Sequence, residues 1–198
     1  MNTLRNAIPL LLGVAIVTVA PAQESRMQPS NTANQSMAMQ SQERASMAGT
    51  SNAAAAESFV DQATQAGMTE VQLGQLALEK SSDPQIKQFA QRMVADHTKA
   101  GEQLTAIAKS ENLKVPEKLD HKHAAMLKSM SGKSGADFDA AYAHDMQKDH
   151  DDAVALFEHA TRLSDPKLAQ FATETLPTLK EHKQLAQRLS TSRVATSQ

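Results

Sequence analysis

The 198-residue chain has no cysteine and no tryptophan, one tyrosine and five phenylalanines. Without cysteine there is no lipoprotein anchor, and the fold must stand without disulfides even in an oxidising compartment that would allow them. A chain of this length can do so, because its core is large enough to be self-sufficient. Charge is also lacking: the formal net value is −2, and the seven histidines are not clustered with Lys or Arg. Nothing in that balance forms an electrostatic footprint for nucleic acid. Long apolar runs are absent beyond the first twenty residues, alternating strand patterns are absent throughout, and no constellation of nucleophile and base is visible.

The first segment does contain an apolar run. Met1-Asn-Thr-Leu-Arg5 supplies one basic side chain, residues Ala7 to Ala20 are largely apolar, and Ala20-Pro21-Ala22 offers small residues where a signal peptidase reads. This pattern predicts a signal peptide over 1–22, too short to be a membrane span, and export to the periplasm or beyond. Residues 23–56 are rich in Ser, Ala, Asn, Gln and Met with almost no bulky hydrophobes. Such a segment buries too little surface to offset its ordering entropy, so a disordered tail is expected. Met27, Met37, Met39 and Met47 within it are soft thioether ligands of the kind that take cuprous copper, or they belong to a plain spacer.

From Glu57 onward alanine, leucine, glutamine, glutamate and lysine dominate and glycine is sparse, a helix-forming composition. The first helix is expected from about Ser58 to Lys80, with Phe59, Ala63, Ala66, Glu70, Leu73 and Ala77 on one face. Asp83-Pro84 opens the second as an N-cap followed by proline at the first helical position, and its stripe is Ile86, Ala90, Met93, His97, Ala100, Leu104 and Ile107. The third spans roughly Ala136 to Leu163 with Met146, His150, Ala153, Phe157 and Ala160. Asp165-Pro166 opens the fourth, whose stripe is Leu168, Ala172, Thr175, Leu179, His182, Ala186 and Leu189. Pro177 should kink it. The two openings agree at five of eight positions, residues 83–90 against 165–172, which reads as the remnant of a duplicated helix hairpin. The central connection is long enough to run the length of a bundle, and 117–130 within it has the composition of a short extra helix. The chain thus divides into a signal peptide (1–22), a tail (23–56), an all-α, antiparallel, ferritin-like four-helix bundle (57–190) and a disordered C-terminus (191–198).

Each of the four stripes carries one residue of metal-ligand type near its middle: Glu70, His97, His150 and His182. Glu70 lies thirteen residues before Asp83 and His97 thirteen after Pro84, so both stand about 20 Å from their turn. His150 and His182 are each sixteen residues from Pro166, about 24 Å away, and the two pairs therefore fall within about one helical turn of each other. A titratable side chain on an apolar face is costly unless it has a partner. Four at one level form either a metal site or a Glu–His hydrogen-bond network that specifies helix pairing. Asp96, Asp145, Asp149 and Glu181 are placed to orient the imidazoles from a second layer. His121, His123, His144 and His159 fall off the stripes.

Ala66-Gly67-Met68-Thr69-Glu70-Val71, Phe89-Ala90 with Met93-Val94-Ala95-Asp96-His97, Tyr142 with Met146 and His150, and Leu176-Pro177 with His182 resemble the bacterial domain of unknown function 4142 family. The resemblance runs from about Phe59 to Leu189 and implies a ferritin-like four-helix arrangement and export, with no established reaction. Di-iron proteins of ferritin-like fold use Glu-x-x-His pairs. Here Val94 and Leu179 occupy the positions three before His97 and His182, so one ion of the zinc or copper class is expected rather than a di-iron centre. The function expected from these residues is metal binding, in storage, buffering or protection of the envelope from stress, with an enzyme using an open position on the ion ranked last. A scaffold or interaction bundle, with an envelope protein as partner, is the alternative.

Overall fold

The computed structural model describes residues 31–196, with side chains described over 35–190, and every element among them is helical. The elements are α1 (Asn31–Lys80), α2 (Pro84–Ser110), α3 (His121–Ser131), α4 (Gly135–Ala160) and α5 (Pro166–Thr196). The expected signal peptide and residues 23–30 lie outside the described residues. Among the described residues, 43–196 belong to one compact unit, and 31–42, which are helical, belong to another. None of the helices described is long and apolar enough to cross a membrane.

The helix starts follow from their caps. The Asp83 carboxylate accepts from the Gln85 and Ile86 backbone N–H groups at 2.8 and 3.4 Å, and that of Asp165 accepts from Leu168 N–H at 2.9 Å. Each satisfies donors that a helix leaves without partners in its first turn. At the far end of α2, Asn112 takes a φ of 57°, a left-handed value that asparagine tolerates. The Leu113 N–H then returns to the Ala108 carbonyl at 2.8 Å and closes the helix. The expected crossover helix is present as α3, capped by Asp120 and hence starting at His121 rather than near Glu117. Helix α5 continues through Pro177.

Two boundaries differ from the sequence reading. Helix α1 begins at Asn31, not near Ser58, although residues 35–55 are exposed throughout and Ala56 is the first buried side chain. Ala, Gln, Met, Glu and Arg favour a helix without having to bury anything, so a segment too polar for the core still takes helical form. Helix α5 likewise reaches Thr196, beyond the expected end of the ordered region at residue 190.

Buried apolar residues fall into two groups. One contains Phe59, Val60, Leu104, Phe157, Leu168, Phe171 and Leu179, with the Phe59 and Phe157 rings edge to face at 5.2 Å between centroids. The other contains Leu73, Ile86, Phe89, Met93, Phe138, Tyr142, Met146 and Leu189. On every long helix the metal-type residue stands between its contributions to the two groups: Glu70 between 63 and 73, His97 between 93 and 104, His150 between 146 and 153, His182 between 179 and 186. A polar layer therefore separates two apolar layers. Near the α1–α2 turn the two helices touch closely: a Cβ built on Gly74 would stand 2.8 Å from Val94 Cγ2 and 3.2 Å from the Ala90 carbonyl oxygen.

Candidate metal centre

Glu70, His97, His150 and His182 are all buried, at 2, 8, 0 and 1 % exposure. The helix register brings them together from α1, α2, α4 and α5. The His97, His150 and His182 ring centroids are 5.3 to 5.6 Å apart, and one nitrogen of each ring lies within 4.8 Å of those of the other two.

Hydrogen bonding fixes which nitrogen each ring can offer. His150 Nδ1 is 2.8 Å from the Met146 carbonyl oxygen, which can only accept, so Nδ1 carries the proton. His97 Nδ1 lies 2.9 Å from Glu70 Oε2, and His182 Nε2 lies 2.8 Å from Asp96 Oδ2. Ionised carboxylates likewise accept, so these nitrogens donate. The opposite atoms, His97 Nε2, His150 Nε2 and His182 Nδ1, are buried and have no hydrogen-bond partner in the protein. A buried polar atom left unpaired costs about 1–3 kcal/mol, and in neutral rings these three would be unpaired lone pairs.

Charge follows the same geometry. Burial alone would raise the Glu70 pKa, but the neighbouring His97, His150 and His182 outweigh it and hold the carboxyl at about 2. Burial would also lower His97, yet Glu70 more than compensates and raises it. For His182 burial wins: despite the Asp96 hydrogen bond its pKa falls to about 4 and the ring is neutral near pH 7. Asp96 is lowered, its own desolvation being outweighed by His182 and Arg92.

The expected ligand set is thus divided. The three histidines form the group able to share an ion; Glu70 faces the Nδ1 atoms instead, at 2.9 Å from His97 and 3.5 Å from His150. Of the expected orienting residues, Asp96 meets His182 directly. Glu181 does not reach a site histidine; it is exposed and makes two 2.8 Å contacts with Arg92, which approaches Asp96 at 3.4 Å. Asp145 contacts His144 rather than the cluster. Asp149 is half-buried, and desolvation, with the nearby Glu70 and Asp145 charges, raises it to about 7. His123 pairs with Asp120, and His121, His144 and His159 are exposed.

Two participants had no stripe to reveal them. The Met146 carbonyl is backbone, four residues before His150. Arg92 had a weak signal, its spacing of four from Asp96.

The sequence profile of the Domain of unknown function family DUF4142 matches residues 28–189. Among solved structures, the crystal structure of a DUF305 fragment from Deinococcus radiodurans is similar, with a TM-score of 0.62 at 16% identity, over 70% of this chain and 96% of that one. That likeness concerns the helical fold alone. No curated protein matches the chain. With the family profile spanning most of its length, the chain belongs to the DUF4142 family, helical domains of unknown function.

Proposed function

We propose that this is an exported, ferritin-like four-helix protein that binds one transition-metal ion through His97, His150 and His182, in metal buffering or protection of the envelope. The observation that carries the reading is the set of three unpartnered nitrogens whose opposite ring atoms are all tied to acceptors. Carboxylate–histidine and carbonyl–histidine pairs of this kind fix the tautomer and orientation of metal-binding imidazoles. Glu70 and Asp96 then act as orienting partners, and their two negative charges offset a divalent ion. Three neutral imidazoles suit zinc or copper, and a tetrahedral ion would keep its fourth position open. Nitrogens at about 2.0–2.1 Å from such an ion stand roughly 3.4 Å apart, so loading draws the rings inward by at most about 1.4 Å.

The deciding experiment is native mass spectrometry of untagged protein isolated from the periplasm without chelator, beside a His97→Ala/His182→Ala variant. One ion per chain, absent from the double variant, is the expected result and names the metal. A wild-type protein that is empty and ignores added zinc, copper and iron overturns the proposal. The Glu70–His97 pair would then be a structural network, and each member changed to alanine would lower stability without any metal dependence.

A further inference from the structure

Beside the histidine layer, between α1 and α2, lies a cavity of about 670 Å³. Its size is that of an ordinary small-ligand pocket. Ala63, Gly67, Leu104, Phe157, Phe171 and Leu179 contribute to a wall that is mostly apolar carbon. At one level the wall changes character, because His97 and His182 line it together with Glu70 and Asp96. Both histidines are buried and each has one nitrogen without a partner. Along α2 the lining runs from Asp96 to Lys109, about 20 Å at 1.5 Å per residue. The protein leaves this space open: Cβ atoms built on Gly67 and Gly101, which face it from α1 and α2, would meet nothing within 4 Å.

We infer that this cavity binds a long-chain monocarboxylate, with the carboxylate at the end lined by His97 and His182 and the alkyl chain along the apolar wall. The head-group contact rests on the metal reading above. An ion held by the imidazoles would bring positive charge to the end of the cavity that His97 and His182 line, and a carboxylate oxygen is a ligand that zinc accepts. Both protein carboxylates at that end are already engaged, Glu70 by His97 and Asp96 by His182. The outer charged residues of the lining, Glu102 and Lys109, are exposed and need no partner from the guest. Hydroxyls of Thr64, Thr98, Thr105, Thr175 and Thr178 also lie along the wall, but most of its surface is apolar. A guest polar along its whole length would therefore leave some groups unpaired, which is unfavourable. An unbranched alkyl body has no such cost.

The test is calorimetric titration of the full chain with zinc chloride and, separately, of metal-free and zinc-loaded protein with dodecanoate below its micelle concentration. Acetate is the head-group control. Gly67→Leu and Gly101→Leu fill the cavity from opposite sides; leucine is a better helix former than glycine, and unchanged zinc affinity shows that the cluster is intact. We expect one dodecanoate per zinc-loaded chain, bound at least 100-fold more tightly than acetate. Binding should weaken at least tenfold without zinc, and at least tenfold in either leucine variant. Zinc binding with no dodecanoate binding, or with dodecanoate binding indifferent to both leucine variants, overturns this inference and leaves the metal site standing. Dodecanoate binding that the leucine variants abolish, in a protein that takes no zinc, upholds the cavity and overturns the metal reading alone.

Discussion

Glu70 Oε2 holds His97 Nδ1 at 2.9 Å, and the other nitrogen of that ring is left buried with no partner. Asp96 does the same to His182 with the ring reversed, engaging Nε2 and leaving Nδ1. If these contacts orient metal ligands, changing the acceptor without changing its shape should weaken the ion. Glu70→Gln and Asp96→Asn are each expected to lower zinc affinity about 10–100-fold. Glu181→Gln, whose contacts are with the partly exposed Arg92, should change it little, as surface ion pairs contribute about 0–1 kcal/mol. Competition against a chromophoric chelator measures all three.

The pH dependence of the metal-free protein has two opposed parts between pH 6.5 and 4.5. His182 titrates at about 4 when folded against an ordinary 6.5, so the unfolded chain takes up its proton first and stability falls as pH drops through this window. Asp149 titrates at about 7 when folded against an ordinary 3.8, so here the folded chain binds the proton first and stability rises as pH drops. His97 is raised above 6.5, so its change lies on the alkaline side, and Glu70 is lowered from 4.5 to about 2, on the acid side. The wild type should therefore be nearly flat in the window. His182→Gln should gain stability on acidification and Asp149→Asn should lose it, as read by urea midpoints at pH 6.5 and 4.5.

Three helical glycines should respond to alanine with opposite signs. At Gly67 and Gly101 a Cβ meets nothing, so alanine removes backbone entropy from the unfolded chain and stabilises by about 0.4–1 kcal/mol. At Gly74 the same atom would press on Val94 and on the Ala90 carbonyl. Overpacking costs about 1–3 kcal/mol, which outweighs the helical gain, so Gly74→Ala should lower stability. Thermal melts of the three variants decide it; a Gly74→Ala protein more stable than wild type would show that α1 and α2 separate freely.

Tyr142 is fully buried, stacks with Phe138 at 6.0 Å between ring centroids, and its hydroxyl has no partner in the protein. Burial and the nearby Glu70 charge raise its pKa, keeping it neutral. Tyr142→Phe removes an unpaired polar atom and keeps the ring, so stability should be unchanged or higher by up to about 1–3 kcal/mol. A destabilised variant, measured by denaturant unfolding, would mean that the hydroxyl is bonded.

Much of the site was legible because helices are periodic. Asp83-Pro84 and Asp165-Pro166 mark helix starts by cap chemistry, and counting from them puts Glu70 level with His97 and His150 level with His182. Which nitrogen each imidazole presents was not legible, since that depends on partners such as the Met146 carbonyl that no side-chain pattern encodes. The early start of α1 is not legible from the scarcity of bulky hydrophobes over 31–56, because burial and helix formation are separate properties. The cavity was hidden for a related reason: it is made by side chains that are missing, at Gly67 and Gly101, and absence leaves no stripe.

The close approach at Gly74 has a mechanical consequence. Were α1 to pivot against α2, this contact would be the natural fulcrum, with Glu70 four residues away along α1 and Ala63 eleven, about 6 and 16 Å. Swinging α1 outward to admit a guest would displace Glu70 by little more than a third of the distance moved at Ala63. The three histidines stand on α2, α4 and α5 and would not move with α1 at all, so the holding of an ion and the width of the neighbouring space can be tuned by separate substitutions.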